Sequence, residues 1–309
     1  MKVTIIGAGN VGATCAQFLY QQQKVREIIL IDKNPDVAEG KVIDILQAGI
    51  FVGNTTKLSG YTDVYDASEN SDVIVVTAGV PRKKGMSREE LVSVNTSVVT
   101  DVVGKCLKFS PKAKIIVLTN PVDSMTYLIL KEFNLPRNQV IGMGGILDTA
   151  RFKYYIQEKL QKSSDQIQAF VIGGHGDKTM LPLARLATYG GVSIVQFLTK
   201  VEIDDIVEKT MKGGATLTAM LGTSAWLAPA QALCELILAI LYDKKVFFSC
   251  SVLLEGEYDE KDVCIGVPCL IGKEGMEQII ELPLIDQEKS QFSQSVSAIK
   301  SVNLEMLNL

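Results

Sequence analysis

A glycine triplet, Gly7-Ala-Gly9-Asn-Val-Gly12, follows directly on the β-rich run 2–6 and opens a segment in which Val11, Cys15, Phe18 and Leu19 fall at i, i+4, i+7 and i+8. That spacing predicts one buried face of a helix. A strand, a glycine turn and a helix in this order aim backbone N–H groups out of a helix N-terminus, and glycine lets a pyrophosphate come close to them. GxGxxG alone is weak, but here Asp32 ends the next β-rich run, 20 residues after Gly12. A carboxylate at that place can accept both hydroxyls of an adenosine ribose, and its charge would repel a 2′-phosphate, which favours NAD over NADP. A turn cap before Asn34-Pro35 is the competing account of Asp32.

The first half of the chain continues as short β-rich runs at 2–6, 26–32, 72–77 and 114–119 separated by helical patterns, the signature of parallel strands joined by crossover helices. After Gly79 a polar loop reaches Gly85, and Ser87-Arg-Glu-Glu90 has the form of a capping box ahead of a long helix. Near residue 140 the alternation fades. Helices are predicted at about 148–161, 202–220 and 224–242, with β-rich runs at 167–172, 246–254, 262–271 and 276–282. Turn-like residues separate the last three, which predicts an antiparallel meander. Phe292, Val296 and Ile299 mark a closing amphipathic helix after Asp286. The fold class read here is α/β: a Rossmann dinucleotide-binding domain with a parallel sheet at 1–142, and an α+β substrate domain with antiparallel strands at 143–309.

Charge and cysteine usage exclude several function classes. The net charge is −4 and no basic run exceeds Arg82-Lys83-Lys84, so an extended nucleic-acid surface has no electrostatic basis. Six cysteines form no CxxC pair, and a chain of 309 residues needs no disulfide scaffold; reduced thiols and no metal centre are expected. Met1 to Ile6 is too short an apolar stretch for a signal peptide. Between Ala215 and Tyr242 the only charge is Glu235, yet Gly222, Thr223, Ser224, Pro229 and Gln231 cut the run into pieces shorter than the ~20 apolar residues a span needs. Buried helices, no membrane partner and a cytoplasmic location are the expectations.

Four groups carry candidate chemistry. His175 is the only histidine, set in Gly173-Gly-His-Gly-Asp177 after an apolar strand. Its ordinary pKa suits proton exchange near neutrality, although a surface histidine would satisfy the composition equally well. Asp148 and Arg151 lie at i and i+3 and share a face if the segment is helical, either as a functional pair or as a helix-start ion pair. Arg88 sits in the first turn of the helix after Ser87, where a cation opposes the macrodipole. Such a local violation often signals function. For Arg82 a solvated loop charge competes with a ligand role.

Read together, the triplet, Thr77-Ala-Gly-Val-Pro-Arg82, Gly85-Met-Ser-Arg88, Leu118-Thr-Asn-Pro-Val-Asp123, Ile146-Leu-Asp-Thr-Ala-Arg151 and Gly174-His-Gly-Asp177 resemble the lactate-dehydrogenase-like family, and within it the malate dehydrogenases. The likeness runs over essentially the whole length. It implies NAD-dependent reversible oxidation of (S)-malate to oxaloacetate, a step of the tricarboxylic acid cycle, with His175 as general base and Asp148 orienting it. Arg151 would hold the C1 carboxylate, Arg88 would polarise the carbonyl oxygen and Asn120 would add a neutral hydrogen bond. Arg82 would face the distal carboxylate, since the lactate-specific enzymes that resemble this chain carry glutamine there. Gly7, Ala8, Gly9, Asn10, Val11, Gly12, Asp32, Asn95, Leu118, Thr119 and Asn120 would line the cofactor. The segment from Gly79 to Ser87 would close as a lid. A homo-oligomer, a tetramer rather than a dimer, is the family habit. Lactate dehydrogenase is the alternative within enzymes, and a catalytically silent dinucleotide sensor the alternative outside them. Lys178 puts a charge where a small or polar residue is expected.

Overall fold

The computed structural model describes residues 1–80 and 88–307. Arg82, most of the segment expected to form a lid, and Ser87 of the capping box lie outside the described residues, as does the side chain of Arg88.

The first half alternates strand and helix through β1 (Lys2–Ile6), α1 (Asn10–Gln22), β2 (Glu27–Asp32), α2 (Val37–Gly49), β3 (Lys57–Thr62), β4 (Val73–Val76), α3 (Arg88–Leu107), β5 (Lys114–Val117), α4 (Val122–Glu132) and β6 (Val140–Gly142). The strands pair in parallel in the order β3-β2-β1-β4-β5-β6. Near-continuous apolar runs suit this sheet, because crossover helices cover both of its faces. Val73, Ile74, Val75 and Val76 are accordingly all buried. The chain order reverses beside β1, and the crevice outside the carboxyl ends of β1 and β4 is where such sheets bind ligands.

The second half runs through α5 (Gly145–Leu160), β7 (Ile167–Gln168), β8 (Val171–Gly173), β9 (Met180–Pro182), β10 (Thr188–Tyr189), β11 (Val192–Ser193), α6 (Lys200–Leu221), α7 (Leu227–Leu241), β12 (Val246–Glu255), β13 (Lys261–Gly272), β14 (Gly275–Ile279) and α8 (Asp286–Leu307). The predicted meander forms, with β12, β13 and β14 paired antiparallel. It does not build a sheet of its own. β12 joins β6 through Ser251 and Gly142, and β13 joins β8 through Gly266 and Gly173, so the large sheet continues from β3 to β9. The run predicted as one strand at 167–172 is divided: β7 enters a small sheet in the order β11-β10-β7, while β8 enters the large one. That division brings Gly173, and therefore His175, to the end of the main sheet.

The apolar stretch from Ala215 to Tyr242 is cut where its breakers predict, but the expectation of buried helices holds only for its second part: Met220 and Leu221 at the end of α6 are exposed, because that turn packs against no other described element. α6 stops at Leu221 with Gly222 in the left-handed region, where glycine carries no Cβ penalty, and α7 restarts at Leu227. Residues 229–240 of α7 are buried apart from Gln231 and Glu235, packed against α1, α5 and β13. Among the described residues no helix is long and apolar enough to cross a membrane. Phe292, Val296 and Ile299 are buried on α8, on the face their spacing predicted. All six cysteines are free and buried.

Candidate active site

At the carboxyl end of β1 the glycine turn is tied down on several sides. Gly7 N–H donates to the Ile31 carbonyl at 2.7 Å, and the Thr77 hydroxyl lies 3.0 Å from the carbonyls of both Ile6 and Gly7. Gly7 has φ +102°, a conformation L side chains rarely adopt, and a Cβ on Gly12 would collide with the Gly7 carbonyl oxygen. Gly9, by contrast, faces open space. It caps α1 without a side-chain hydrogen bond, and the first turn of α1 holds no acidic residue. The helix therefore presents unsatisfied N–H groups and its positive dipole end, with no acidic side chain in its own first turn to repel an anion. These features fit a pyrophosphate.

Asp32 serves the turn as well as any ligand. Its Oδ2 accepts from Ala8 N–H at 2.7 Å, and its Oδ1 accepts from the main-chain and side-chain nitrogens of Asn34, each at 2.9 Å. The turn-cap account is thus realised; with Oδ1 already accepting twice, the lone pair left for a ribose hydroxyl is on Oδ2. Asn95 is 1% exposed; its Oδ1 accepts from Val80 N–H and its Nδ2 donates to the Asn120 carbonyl, both at 2.8 Å. Its amide frames the two segments that border the crevice. Thr119 is buried too, donating to the Ala78 carbonyl at 2.6 Å, with Leu118 half-buried beside it and Asn120 exposed at the turn.

A second cluster forms at the end of β8. The His175 Nδ1 lies 2.7 Å from Asp148 Oδ2, and Arg151 donates from its NH1 to the other oxygen, Oδ1, at 3.1 Å. Asp148 is in the first turn of α5, where a carboxylate suits the helix dipole, and α5 brings Arg151 to the same face one turn later. The Asp148 side chain is 2% exposed and the imidazole 16%. Burial pulls the His175 pKa down, but the charge and hydrogen bond of Asp148 outweigh it, and the imidazole is held above its ordinary value. Arg151 keeps a buried Nε with no partner among the described residues, so the protein does not saturate its guanidinium. Its donors fit a carboxylate of a ligand.

A histidine oriented by a buried carboxylate, beside an arginine and at the end of a dinucleotide crevice, is an arrangement with known counterparts. Residues 1–142 match the model of the lactate/malate dehydrogenase NAD binding domain, and residues 146–308 that of the lactate/malate dehydrogenase alpha/beta C-terminal domain. The chain belongs to the lactate/malate dehydrogenase family. A malate dehydrogenase of Flavobacterium johnsoniae is 50% identical over 303 residues, covering 98% of this chain and 97% of that one. The crystal structure of Cryptosporidium parvum malate dehydrogenase superposes with a TM-score of 0.95 at 37% identity, covering 100% of this chain and 99% of that chain. The lactate dehydrogenase of the same organism, solved with lactic acid and β-nicotinamide adenine dinucleotide, gives 0.95 at 32% identity and covers 100% and 98%.

Two features of this family site have no role assigned from the sequence. Gly213 and Gly214 on α6 lie against Arg151: a Cβ on Gly213 would stand 3.3 Å from its Cδ, and one on Gly214 3.6 Å from both terminal nitrogens. Gly213 eases the packing of the Arg151 stem, whereas a Cβ at Gly214 would stand at ordinary contact distance; two adjacent glycines inside a helix, each weaker than alanine there by ~1 kcal/mol, are a signal the sequence does carry. The second is Asp123, whose Oδ2 accepts from His175 N–H at 2.9 Å. Lys178 is exposed, so its charge faces solvent and leaves the cluster undisturbed.

Proposed function

We propose that this protein is an NAD-dependent malate dehydrogenase that interconverts (S)-malate and oxaloacetate. The observation that carries the reading is the carboxylate of Asp148 shared between His175 and Arg151, in a chain whose relatives at about half identity are malate dehydrogenases. NAD, held by Gly7 to Gly12 and Asp32 with Leu118, Thr119 and Asn120 bordering it, supplies the hydride acceptor when bound. His175 takes the proton of the substrate hydroxyl through its Nε2, because Nδ1 is engaged by Asp148. Asp148 fixes the tautomer and stabilises the imidazolium that forms. Arg151 clamps the C1 carboxylate with a planar fork that lysine could not copy. Arg88 and Asn120 stabilise the carbonyl oxygen, and Arg82 pairs with the distal carboxylate that malate has and lactate lacks.

The direct test is NADH absorbance with oxaloacetate and then with pyruvate. Turnover confined to oxaloacetate supports the reading; faster turnover of pyruvate would make the protein a lactate dehydrogenase, and none with either would leave a dinucleotide sensor. Cofactor choice rests on Asp32. In the Asp32→Ser variant NADH should bind at least ~10-fold more weakly, since a charged hydrogen-bond acceptor is lost, and discrimination against NADPH should relax. Unchanged preference, read from titrations with both cofactors, would shift the discriminator elsewhere.

The proposed setting is cytoplasmic, as a homo-oligomer and specifically a tetramer. Ile43, Leu46 and Ile50 fall at i, i+3 and i+7 on the exposed side of α2 and at its end, and Phe51 and Val52 extend the apolar strip. Contiguous exposed apolar surface of this kind supports subunit contact. A monomer mass by light scattering across concentrations would remove that part of the proposal.

A further inference from the structure

Asp123 is a buried acid that the proposed reaction does not use. It lies in the first turn of α4 and is 6% exposed. A first-turn aspartate ordinarily supports its own helix end. Here Oδ2 instead accepts from the main-chain N–H of His175 at 2.9 Å, 52 residues away in sequence, while Oδ1 is buried without a hydrogen-bond partner among the described residues. Burial pushes the Asp123 carboxyl up, and the His175 N–H pulls it part of the way back. A carboxyl kept in such a place, where a neutral side chain of equal size would avoid the desolvation cost, has a use for its charge or its geometry.

The surroundings narrow that use. Among the described residues three charged groups lie around His175: Asp148 at its Nδ1, Arg151 on the other oxygen of Asp148, and Asp123 at its main-chain N–H. The other described elements bring neutral groups. Ser295 of α8 accepts from Gly174 N–H at 2.9 Å, and Ser251 of β12 and the Cys264 thiol of β13, held protonated by burial, stand against Asp123. Among the described residues two carboxylates therefore bracket His175, one on the ring at Nδ1 and one on the main chain, with Arg151 on the far oxygen of Asp148. Asp123 also sits three residues after Asn120, whose carbonyl Asn95 holds, so the turn that borders the nucleotide crevice and the loop that carries His175 meet at the start of α4.

We propose that Asp123 is a positioning residue for His175, anchoring its main chain through the N–H bond and placing a second carboxylate beside that of Asp148. The inference rests on the reading of His175 as the proton acceptor. Asp123→Asn keeps the size and an oxygen acceptor for the N–H but removes the charge; Asp123→Ala removes both. Because His175 is the only histidine, its imidazole gives a single titrating signal in the proton NMR spectrum of the full-length, ligand-free protein, independent of turnover. In Asp123→Asn that signal should titrate at lower pH than in the parent, the acid limb of malate oxidation should move with it, and the plateau kcat should stay within a few-fold. Asp123→Ala should in addition lose ~10- to 100-fold in kcat with little change in KM, the consequence of a displaced base. Circular dichroism checks that both variants are folded. A purely structural role would lower thermal stability and leave the Asn variant's titration at the parental pH; that result, or an Ala variant with parental kcat, overturns the proposal. A parent that fails to oxidise malate would instead overturn the functional reading, and the NMR titration would still test the charge coupling.

Discussion

Replacing His175 with asparagine should lower malate turnover at least ~10²-fold, the low end of what general acid–base catalysis contributes, while NADH still binds. The separation follows from the architecture: the nucleotide crevice is built from β1, β2 and α1, whereas His175 follows β8 and reaches the sheet end through the β13 pairing. Asparagine can still hydrogen-bond Asp148, so the loss reports proton transfer rather than collapse of the cluster. The pH dependence has a definite sign. Burial lowers the His175 pKa and Asp148 more than restores it, leaving the group above its ordinary value. Malate oxidation needs the neutral ring and should fall as pH drops through that raised value; oxaloacetate reduction needs the imidazolium and should persist to a higher pH than an isolated histidine would allow. Both limbs should flatten in the variant. Turnover retained within a few-fold would remove His175 from the mechanism.

The parts of this protein that local pattern dictates were legible in its sequence, and those set by contacts between distant segments were not. The glycine triplet, β1, β2, β4 and β5 each carry their own signal, because apolar runs and φ-permissive glycines are local properties. β3 and β6 do not: Lys57–Thr62 mixes Ser59 and Gly60 into a strand at the sheet edge, and Val140–Gly142 is three residues long. Helix α2 is obscured for a related reason, since its outward face carries Ile43 and Leu46 where an isolated amphipathic helix would be polar.

At the site, periodicity alone paired Asp148 with Arg151, a relation one helical turn long. The step from Asp148 to His175 spans 27 residues and that from Asp123 to His175 spans 52, and no spacing rule reaches across them. The first was supplied by resemblance to a family. The second emerged only from the folded geometry, because a first-turn aspartate looks like an ordinary helix start. The split of residues 167–172 between two sheets is a further case: one apolar run contains no mark of where the chain changes partner, yet that change delivers the loop that carries His175.

Exchanging Arg82 for glutamine should lower kcat/KM for oxaloacetate strongly and raise it for pyruvate. The effect depends on charge. In a water-excluding site an arginine and the distal carboxylate of oxaloacetate neutralise each other, whereas pyruvate would leave the arginine enclosed against a methyl group. Breaking one partner of a buried pair costs ~3–5 kcal/mol, which is roughly two to nearly four powers of ten in rate. The same figure sets the expected loss for oxaloacetate, since glutamine leaves the distal carboxylate without its counter-charge. Arg151→Lys is the control. Its guanidinium is held by Asp148 at 3.1 Å while its stem packs against Gly213, and it would clamp the C1 carboxylate that both substrates share. An ammonium cannot form the bidentate fork, so this variant should damage both substrates in proportion. A ratio of kcat/KM values that moves with Arg82→Gln and stays fixed with Arg151→Lys separates recognition of the distal group from binding of the common one. Should Arg82→Gln depress both substrates equally, Arg82 would act in binding generally, and the choice of malate over lactate would lose its main physical support.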